Sequence, residues 1–289
     1  MKPAAFEYFA PTSVEECVQL LVRHGDDAKV LAGGQSLVPL MNLRFAAPLA
    51  LVDLNRIPDL AYIRDDGDAV AIGAMTRHHD VATSELVQER CPLLARAASH
   101  VGYPAIRHRG TMGGSIAHAD PAAELPCAAL ALDAEIVVTG PAGSRTIAAR
   151  DLFVTHFTTV LEPTDLVKEV RVPASRTGDG WSFLEFSRKT GDFALAMVAV
   201  DLGVAGHLLD RVRIGVGSIG DRPLRAPAAE AALVGRPLSA ALAEENGDAV
   251  VADVVAAAGD GIDAYRRQLV ATLARRALAE AVARTGSTV

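Results

Sequence analysis

The 289-residue sequence lacks the features that define several classes of protein. No charge-free apolar run approaches the roughly 20 residues that a membrane-spanning helix needs, and the N-terminus lacks the apolar core of a signal peptide. We therefore expect a cytoplasmic protein without a membrane span. Aromatic residues make up only 4% and the net charge is −7. Since no basic patch stands out either, nucleic acid is not an expected partner.

Metal-ligating and nucleophilic patterns are also missing. The three cysteines, Cys17, Cys91 and Cys127, are scattered, which argues against a disulfide framework, a zinc knuckle or an iron–sulfur ligand set. The eight histidines do not form the i, i+4 or H-x-E pattern of zinc sites, and no serine lies in a G-x-S-x-G elbow. The sequence thus predicts no metal ligand and no nucleophile elbow in this chain.

Two short glycine-rich segments are the most informative feature that is present. The first glycine segment is Ala32-Gly33-Gly34-Gln35-Ser36, and the second, about 80 residues later, is Thr111-Met112-Gly113-Gly114-Ser115. Glycine accepts positive φ and lets a ligand approach the backbone, and successive amides aimed at one point suit a pyrophosphate or another anion. Ordinary loop glycines would explain either segment alone. Two such turns with hydroxyl or amide neighbours predict one extended ligand held from two sides.

Apolar periodicity and turn residues predict mixed helices and strands in the N-terminal two thirds. Ser13 and Glu16 form a capping box for a helix to about His24. A helix is also expected to start at Asp120-Pro121 and run through Leu130. The remaining expectations are strands at 29–31, 49–54, 70–72 and 166–172, a helix over 84–101, and a hairpin over 135–147. The polar residues 175–180 mark the expected domain boundary.

The C-terminal third is predicted to be a strand meander followed by helices. Strands are expected at 181–187, 194–202 and 211–216, and helices from about Pro227 to the end, separated at 246–248 and 259–261. Residues 215–220, GVGSIG, match the G-x-G-x-x-G dinucleotide pattern. That pattern needs a helix to start inside it, and Pro223 and Pro227 prevent one, so we interpret it as a strand end with a tight loop.

The two glycine segments resemble the FAD-binding motifs of the medium, flavoprotein subunit of molybdenum hydroxylases, the group of carbon monoxide dehydrogenase and xanthine dehydrogenase. The resemblance extends from the first segment into Leu37-Val38-Pro39 and covers nearly the whole chain. It continues at 53–55, 72–74, 109–110, 119–126, 188–194 and 265–267.

This resemblance implies an α+β fold with two domains. A vanillyl-alcohol-oxidase or PCMH-type FAD-binding domain would span residues 1–177, with subdomains of about 1–54 and 55–177. A C-terminal flavoprotein domain, a three-stranded sheet with helices, would span 178–289.

The resemblance also implies the cofactor and its contacts. Residues 32–36 and 111–115 would wrap the pyrophosphate and ribityl chain of FAD through backbone N–H and hydroxyl groups. Glu124 matches a family acid that contacts the cofactor. Leu166 matches an apolar residue near the isoalloxazine or the adenine.

The activity implied by the resemblance is electron transfer inside a complex. A large subunit with a molybdenum-pterin cofactor would hydroxylate the substrate, and a small subunit with two [2Fe-2S] clusters would pass electrons to this FAD and on to an external acceptor. The expected assembly is a dimer of such heterotrimers. The protein's task would be to bind, orient and tune the flavin.

Alternatives remain for the substrate of the complex and for the functional class of the protein. Gln35 stands where carbon monoxide dehydrogenases often have histidine, and Met112 where isoleucine is common, which favours an N-heterocycle or an aldehyde over carbon monoxide. The medium subunit of a carbon monoxide dehydrogenase remains an alternative. So does a stand-alone flavin oxidoreductase of the same fold, although a C-terminal segment of about 110 residues is short for a substrate cap. A non-catalytic scaffold is the third, and the intact donors in both segments disfavour it.

Overall fold

The computed structural model describes residues 2–239, 241–259 and 261–285, without the side chains of residues 243–245. Its first part is a parallel sheet of three strands in the order β1-β3-β2. Ser13 caps the first helix as predicted, because its hydroxyl accepts a hydrogen bond from the N–H of Glu16 at 3.1 Å. The elements are β1 (Glu7–Phe9), α1 (Val14–His24), β2 (Ala28–Leu31), α2 (Leu37–Asn42) and β3 (Ala50–Asp53).

The second part is a five-stranded antiparallel sheet in the order β4-β5-β10-β6-β7, with helices packed against it. Its first elements are β4 (Ile63–Asp65), β5 (Ala69–Gly73), α3 (His78–Thr83), α4 (Glu85–Arg90), α5 (Pro92–His100), α6 (Pro104–Arg107), α7 (Met112–His118) and α8 (Glu124–Ala131). There follow β6 (Glu135–Gly140), β7 (Gly143–Ala148), α9 (Ala149–Leu152), β8 (Phe153–Thr155), β9 (Thr158–Thr159) and β10 (Leu166–Pro173). Helices α3 to α8 lie between β5 and β6 in the chain, so the second glycine segment belongs to this helical layer.

The third part is an antiparallel sheet with three helices. It contains the three expected strands and a fourth strand of two residues, in the order β11-β12-β13-β14. The final helix packs on this sheet, where Gly180 lets the backbones approach closely. The elements are β11 (Gly180–Phe186), β12 (Ala196–Ala205), β13 (Leu208–Gly217), β14 (Leu224–Arg225), α10 (Pro227–Leu233), α11 (Ala241–Ala258) and α12 (Ala264–Arg284).

Two predicted helices differ from the observed ones for local reasons. The expected helix over 84–101 is two helices that break at Cys91, because the following Pro92 keeps Cys91 out of the helical region. The helix expected at Asp120 begins four residues later, at Glu124. Asp120 instead closes a turn, in which its carboxylate accepts a hydrogen bond from the N–H of Ala122 at 2.9 Å.

The expected helix break at 246–248 was wrong for a tertiary reason. These residues lie inside α11, where the Asn246 amide donates to the carbonyl of Leu242 at 2.7 Å. Gly247 packs so closely on α12 that an added Cβ would lie 2.8 Å from the carbonyl oxygen of Ala271. The close helix contact thus overrides the weak helix propensity of glycine. In the second expected separator, Gly259 ends α11 in the left-handed region at φ +77°, and Asp260 lies outside the described residues.

The helices that the structure describes differ in length and in apolar content. None of them is both long enough and apolar enough to cross a bilayer.

Candidate functional site

The first glycine segment carries a run of unused backbone donors. It connects β2 to α2, and Gly34 adopts φ +72°, which favours glycine. Within the part of the chain that the structure describes, the N–H groups of residues 33–37 donate to no acceptor. Five consecutive amides at a surface loop require acceptors from outside the chain. Such a row is suited to an anionic group with several oxygens.

The first three of these residues, Gly33, Gly34 and Gln35, line a cleft. The cleft has a volume of about 340 Å³ and is bounded by residues 31–35 and by Val38, Pro39, Asp53, Asn55 and Arg109. This volume lies at the lower end of small-molecule sites, enough for a diphosphate and part of what it carries. In the described residues the Arg109 guanidinium forms no ion pair, so its charge is available to an anion at the cleft.

The second glycine segment is built differently from the turn that the sequence predicts. Thr111 caps α7, and Gly113 and Gly114 lie in the first turn of that helix. The N–H groups of residues 112, 113, 114 and 115 donate to Thr76 O, Ala74 O, Thr111 Oγ1 and Thr111 O. In the folded chain these four amides thus have acceptors within the chain, and the predicted contact of residues 111–115 with the cofactor remains a prediction. The segment's available donors are hydroxyls, chiefly that of half-buried Ser115.

The structure nevertheless brings the two segments into contact. An ideal Cβ on Gly33 would lie 2.2 Å from the carbonyl oxygen of Arg109, so the two backbones touch where any side chain would intervene. A Cβ on Gly114 would lie 3.5 Å from the Cβ of Ala32. The glycines of both segments thus serve a close backbone approach.

His78 forms a hydrogen bond with the backbone of the second glycine segment. Its Nε2 lies 2.8 Å from the carbonyl oxygen of Thr111. Burial lowers the pKa of His78 to about 4, so the ring is neutral near pH 7 and its Nε2–H donates this hydrogen bond. Gly110 lies against the ring, since a Cβ there would be 2.7 Å from the His78 Cε1.

A polar wall at the end of β3 was not predicted as part of the site. Asn55 donates to the carbonyl of Ala32 at 3.0 Å, and the Tyr8 hydroxyl donates to Asp53 at 2.6 Å. Burial alone would raise the pKa of Asp53, but hydrogen bonds from Tyr8 and Asn55 outweigh it and lower that pKa. The only sequence signal for this wall was the resemblance at 53–55, which suggested no contact for either residue.

Three predicted site residues lie away from this cleft. Met112 and Leu166 are both buried in hydrophobic cores, at 0% and 3% exposure, and neither lines the cleft. Glu124 is the first residue of α8 and is also buried. Among the described residues its carboxyl has no ion pair and no hydrogen bond from another residue. The roles suggested for these three residues remain predictions.

Glu124 has a strongly perturbed titration. Burial raises its pKa from 4.5 to about 8, and the nearby carboxylates Glu185 and Asp120 add to this shift. The folded protein therefore keeps a neutral carboxylic acid at this position near pH 7. Such a group can donate a hydrogen bond where an ionised carboxylate could not.

We expect Glu124 to make the protein less stable as pH rises. Between pH 4.5 and about 8 the unfolded chain has lost the proton that the folded chain retains, so the free energy of unfolding falls with pH across this window. From pH 5.5 to 8 the fall should be on the order of 2 kcal/mol. Urea unfolding of the wild type and Glu124→Gln would measure it, and the variant should show a flatter dependence. Equal slopes in both proteins would contradict the assignment.

The GVGSIG sequence at 215–220 does not have the geometry of a dinucleotide site. Strand β13 runs through Gly217, and the next described helix starts only at Pro227. Gly217 packs against Met197, where a Cβ would lie 2.8 Å from the Met197 Cγ. As predicted, no helix starts inside this pattern, and its glycines serve packing.

The fold agrees with comparisons to known proteins. Residues 4–175 match the FAD binding domain in molybdopterin dehydrogenase, and residues 181–281 match the CO dehydrogenase flavoprotein C-terminal domain. The chain therefore belongs to the family of FAD-binding medium subunits of molybdenum hydroxylases. It is an oxidoreductase subunit with the FAD-binding fold that the sequence predicts.

Relatives with different substrates match this chain equally well. The carbon monoxide dehydrogenase medium chain of Hydrogenophaga pseudoflava is 42% identical, covering 98% of this chain and 99% of the relative. The 6-hydroxypseudooxynicotine dehydrogenase complex subunit alpha of Paenarthrobacter nicotinovorans is also 42% identical, covering 100% and 98%. The solved carbon monoxide dehydrogenase of H. pseudoflava, which lacks the Mo-pyranopterin moiety of its molybdenum cofactor, superposes with a TM-score of 0.93 at 43% identity, covering 99% and 100%.

Proposed function

We propose that this chain holds one FAD non-covalently, with its diphosphate in the cleft beside the first glycine segment. The observation that carries the proposal is the row of five unused N–H groups at residues 33–37, the first three of which belong to residues that line the same cleft as Arg109. A diphosphate supplies the several anionic oxygens that this donor row lacks. The hydroxyls of Ser36 and Ser115, the latter on α7, would donate to the groups that flank it.

The chain's own contribution is binding and orientation. FAD, when bound, supplies two-electron redox chemistry, and the residues around the cleft fix where it lies. Glu124 and Leu166 would contribute beyond the cleft, in keeping with the roles that the family resemblance implies. None of these side chains is assigned a proton transfer.

We further propose that the chain works inside a heterotrimer, as a dimer of heterotrimers. In it a large molybdenum-pterin subunit hydroxylates the substrate, a small subunit with two [2Fe-2S] clusters delivers electrons, and an external acceptor removes them from the flavin. The names of the relatives as medium chain and complex subunit support this assembly. The described residues also contain no cluster of metal ligands that could hold such centres here.

An N-heterocycle or an aldehyde is the proposed substrate of the complex. Gln35 in place of histidine supports this, and a relative named for 6-hydroxypseudooxynicotine matches over the whole chain. Carbon monoxide is the competing substrate, favoured by the relative and the solved structure named for it.

The proposal is tested by purifying the affinity-tagged chain from its native cells. We expect about one FAD per chain, released intact by acid, together with two further subunits, molybdenum and iron. The complex should reduce a dye with N-heterocycles or aldehydes and not with carbon monoxide. Carbon monoxide turnover would overturn the substrate proposal alone, and a flavin-free chain would overturn the binding proposal. Turnover by the purified single chain would overturn the requirement for partners.

A further inference from the structure

Arg77 connects the two walls of the cofactor cleft. It precedes α3, and its guanidinium donates through Nη1 to the carbonyl oxygen of Arg109 at 2.5 Å. Through Nη2 it donates to the Asn55 Oδ1 at 2.7 Å. One planar side chain therefore joins Arg109, before α7, to Asn55, two residues after the end of β3.

Both acceptors, the carbonyl of Arg109 and the side chain of Asn55, lie next to the first glycine segment. The Arg109 carbonyl is the group that an added Cβ on Gly33 would strike at 2.2 Å. Asn55, held by Arg77 through its oxygen, donates through its nitrogen to Ala32 O at 3.0 Å. Arg77 thus acts on the first glycine segment twice, at Gly33 through Arg109 and at Ala32 through Asn55.

The charge of Arg77 has no local structural partner of opposite sign. Its two acceptors are neutral, and in the described residues it forms no ion pair within 4.0 Å. Burial and the neighbouring Arg109 lower its pKa, while the more distant Asp80 and Asp53 raise it. Keeping a half-buried cation here costs stability, which an anion bound at the adjacent cleft would offset.

We propose that Arg77 is a positioning residue that fixes the spacing between the two glycine segments and so keeps the amides of residues 33–37 in register with the bound diphosphate. The proposal rests on the proposed function, since it requires FAD in this cleft. Arg77 acts through Arg109 and Asn55. Its two hydrogen bonds need the fork of a guanidinium, because a lysine ammonium cannot match that planar geometry.

The test measures the rate of FAD release after dilution of the purified complex, followed by the fluorescence of free FAD. We expect Arg77→Met to release FAD about ten to a hundred times faster than the wild type, and Arg77→Lys to be intermediate. Arg90→Met is the matched control. Arg90 joins α4 to a loop by donating to Asp65 at 2.9 Å and to the Gly67 carbonyl, away from the cleft. It should change the rate less than twofold.

A double-mutant cycle separates positioning from general damage. Arg77 and Asn55 act in one chain of hydrogen bonds. The effects of Arg77→Met and Asn55→Ala on the rate of FAD release should therefore be less than additive. In the FAD-free chain, hydrogen exchange at residues 109–113 should accelerate in Arg77→Met and not in Arg90→Met.

The rate of FAD release distinguishes failure of the positioning role from failure of the proposed function. If the wild type carries FAD and Arg77→Met releases it at the rate of Arg90→Met, the positioning role is overturned and the proposed function stands. Full additivity with Asn55→Ala would likewise overturn it. If Arg77→Met does not fold, release of FAD from Arg77→Lys at the wild-type rate would still overturn the positioning role. A wild type without FAD would overturn the proposed function and this inference together.

Discussion

Gly33→Ala should abolish or severely weaken FAD binding while the rest of the chain stays folded. Its methyl group would lie 2.2 Å from the Arg109 carbonyl oxygen and 2.8 Å from the Gly110 Cα. Both are backbone atoms, so the two glycine segments must move apart. Overpacking of this kind costs about 1–3 kcal/mol or more, which corresponds to a loss of about ten- to hundredfold in FAD affinity if it falls on the bound state. Flavin content of the purified complex and its FAD dissociation constant would measure this.

The matched control is Gly220→Ala in the competing glycine pattern. A methyl group there would lie 3.3 Å from the Cβ of Ala258 and from a Leu224 side-chain atom, and 3.7 Å from the carbonyl oxygen of Arg222. This variant should retain a wild-type content of FAD. If Gly220→Ala lost the flavin and Gly33→Ala kept it, the cofactor would have been assigned to the wrong glycine loop.

Local sequence signals were sufficient to predict several local features of the chain, but not which backbone amides of the glycine segments are already hydrogen-bonded. The glycine pairs, the Ser13 cap and the lack of a helix after Gly220 depend on neighbouring residues, and each could be predicted. Whether an amide is free depends on distant residues instead. The amides of Met112 and Gly113 are occupied by carbonyls some 36 to 39 residues earlier, at Thr76 and Ala74, which no local pattern reveals.

The same reasoning explains which functional residues the sequence missed. Arg77 looks like an ordinary surface arginine in the sequence, and its role arises because Asn55 and the Arg109 carbonyl converge on it from separate parts of the chain. The continuation of α11 through Gly247 has a similar origin, since the close approach of α12 decides it. Tertiary contacts therefore decided the surroundings of Arg77 and the length of α11 more than local helix propensity did.

The largest stability effect is expected at the Arg225–Glu230 ion pair of the third part of the fold, whose arginine also reaches the second part. Glu230 on α10 receives two hydrogen bonds from Arg225, at 2.6 and 2.7 Å, and one from the backbone N–H of Ile214 at 2.8 Å. Arg225 also donates to Asp133 at 2.7 Å and to the carbonyl of Leu130 at 3.1 Å, both in the second part. This network therefore ties the C-terminal sheet to the helical layer that carries the second glycine segment.

Glu230→Ala should lower the free energy of unfolding by about 3 kcal/mol or more, because it removes the carboxylate that pairs with partly buried Arg225 and leaves the backbone N–H of Ile214 without its acceptor. Urea denaturation would measure it. Asp248→Ala is the control, since the carboxylate that pairs with Arg275 at 2.8 Å is 83% exposed, and its loss should cost at most about 1 kcal/mol. Replacing both partners, as Arg225→Met with Glu230→Leu, should be less destabilising than Glu230→Ala, since the guanidinium charge is then removed together with its carboxylate, while the N–H of Ile214 lacks its acceptor in both variants. A loss in Glu230→Ala no larger than in Asp248→Ala would show that this network does not hold the two parts together.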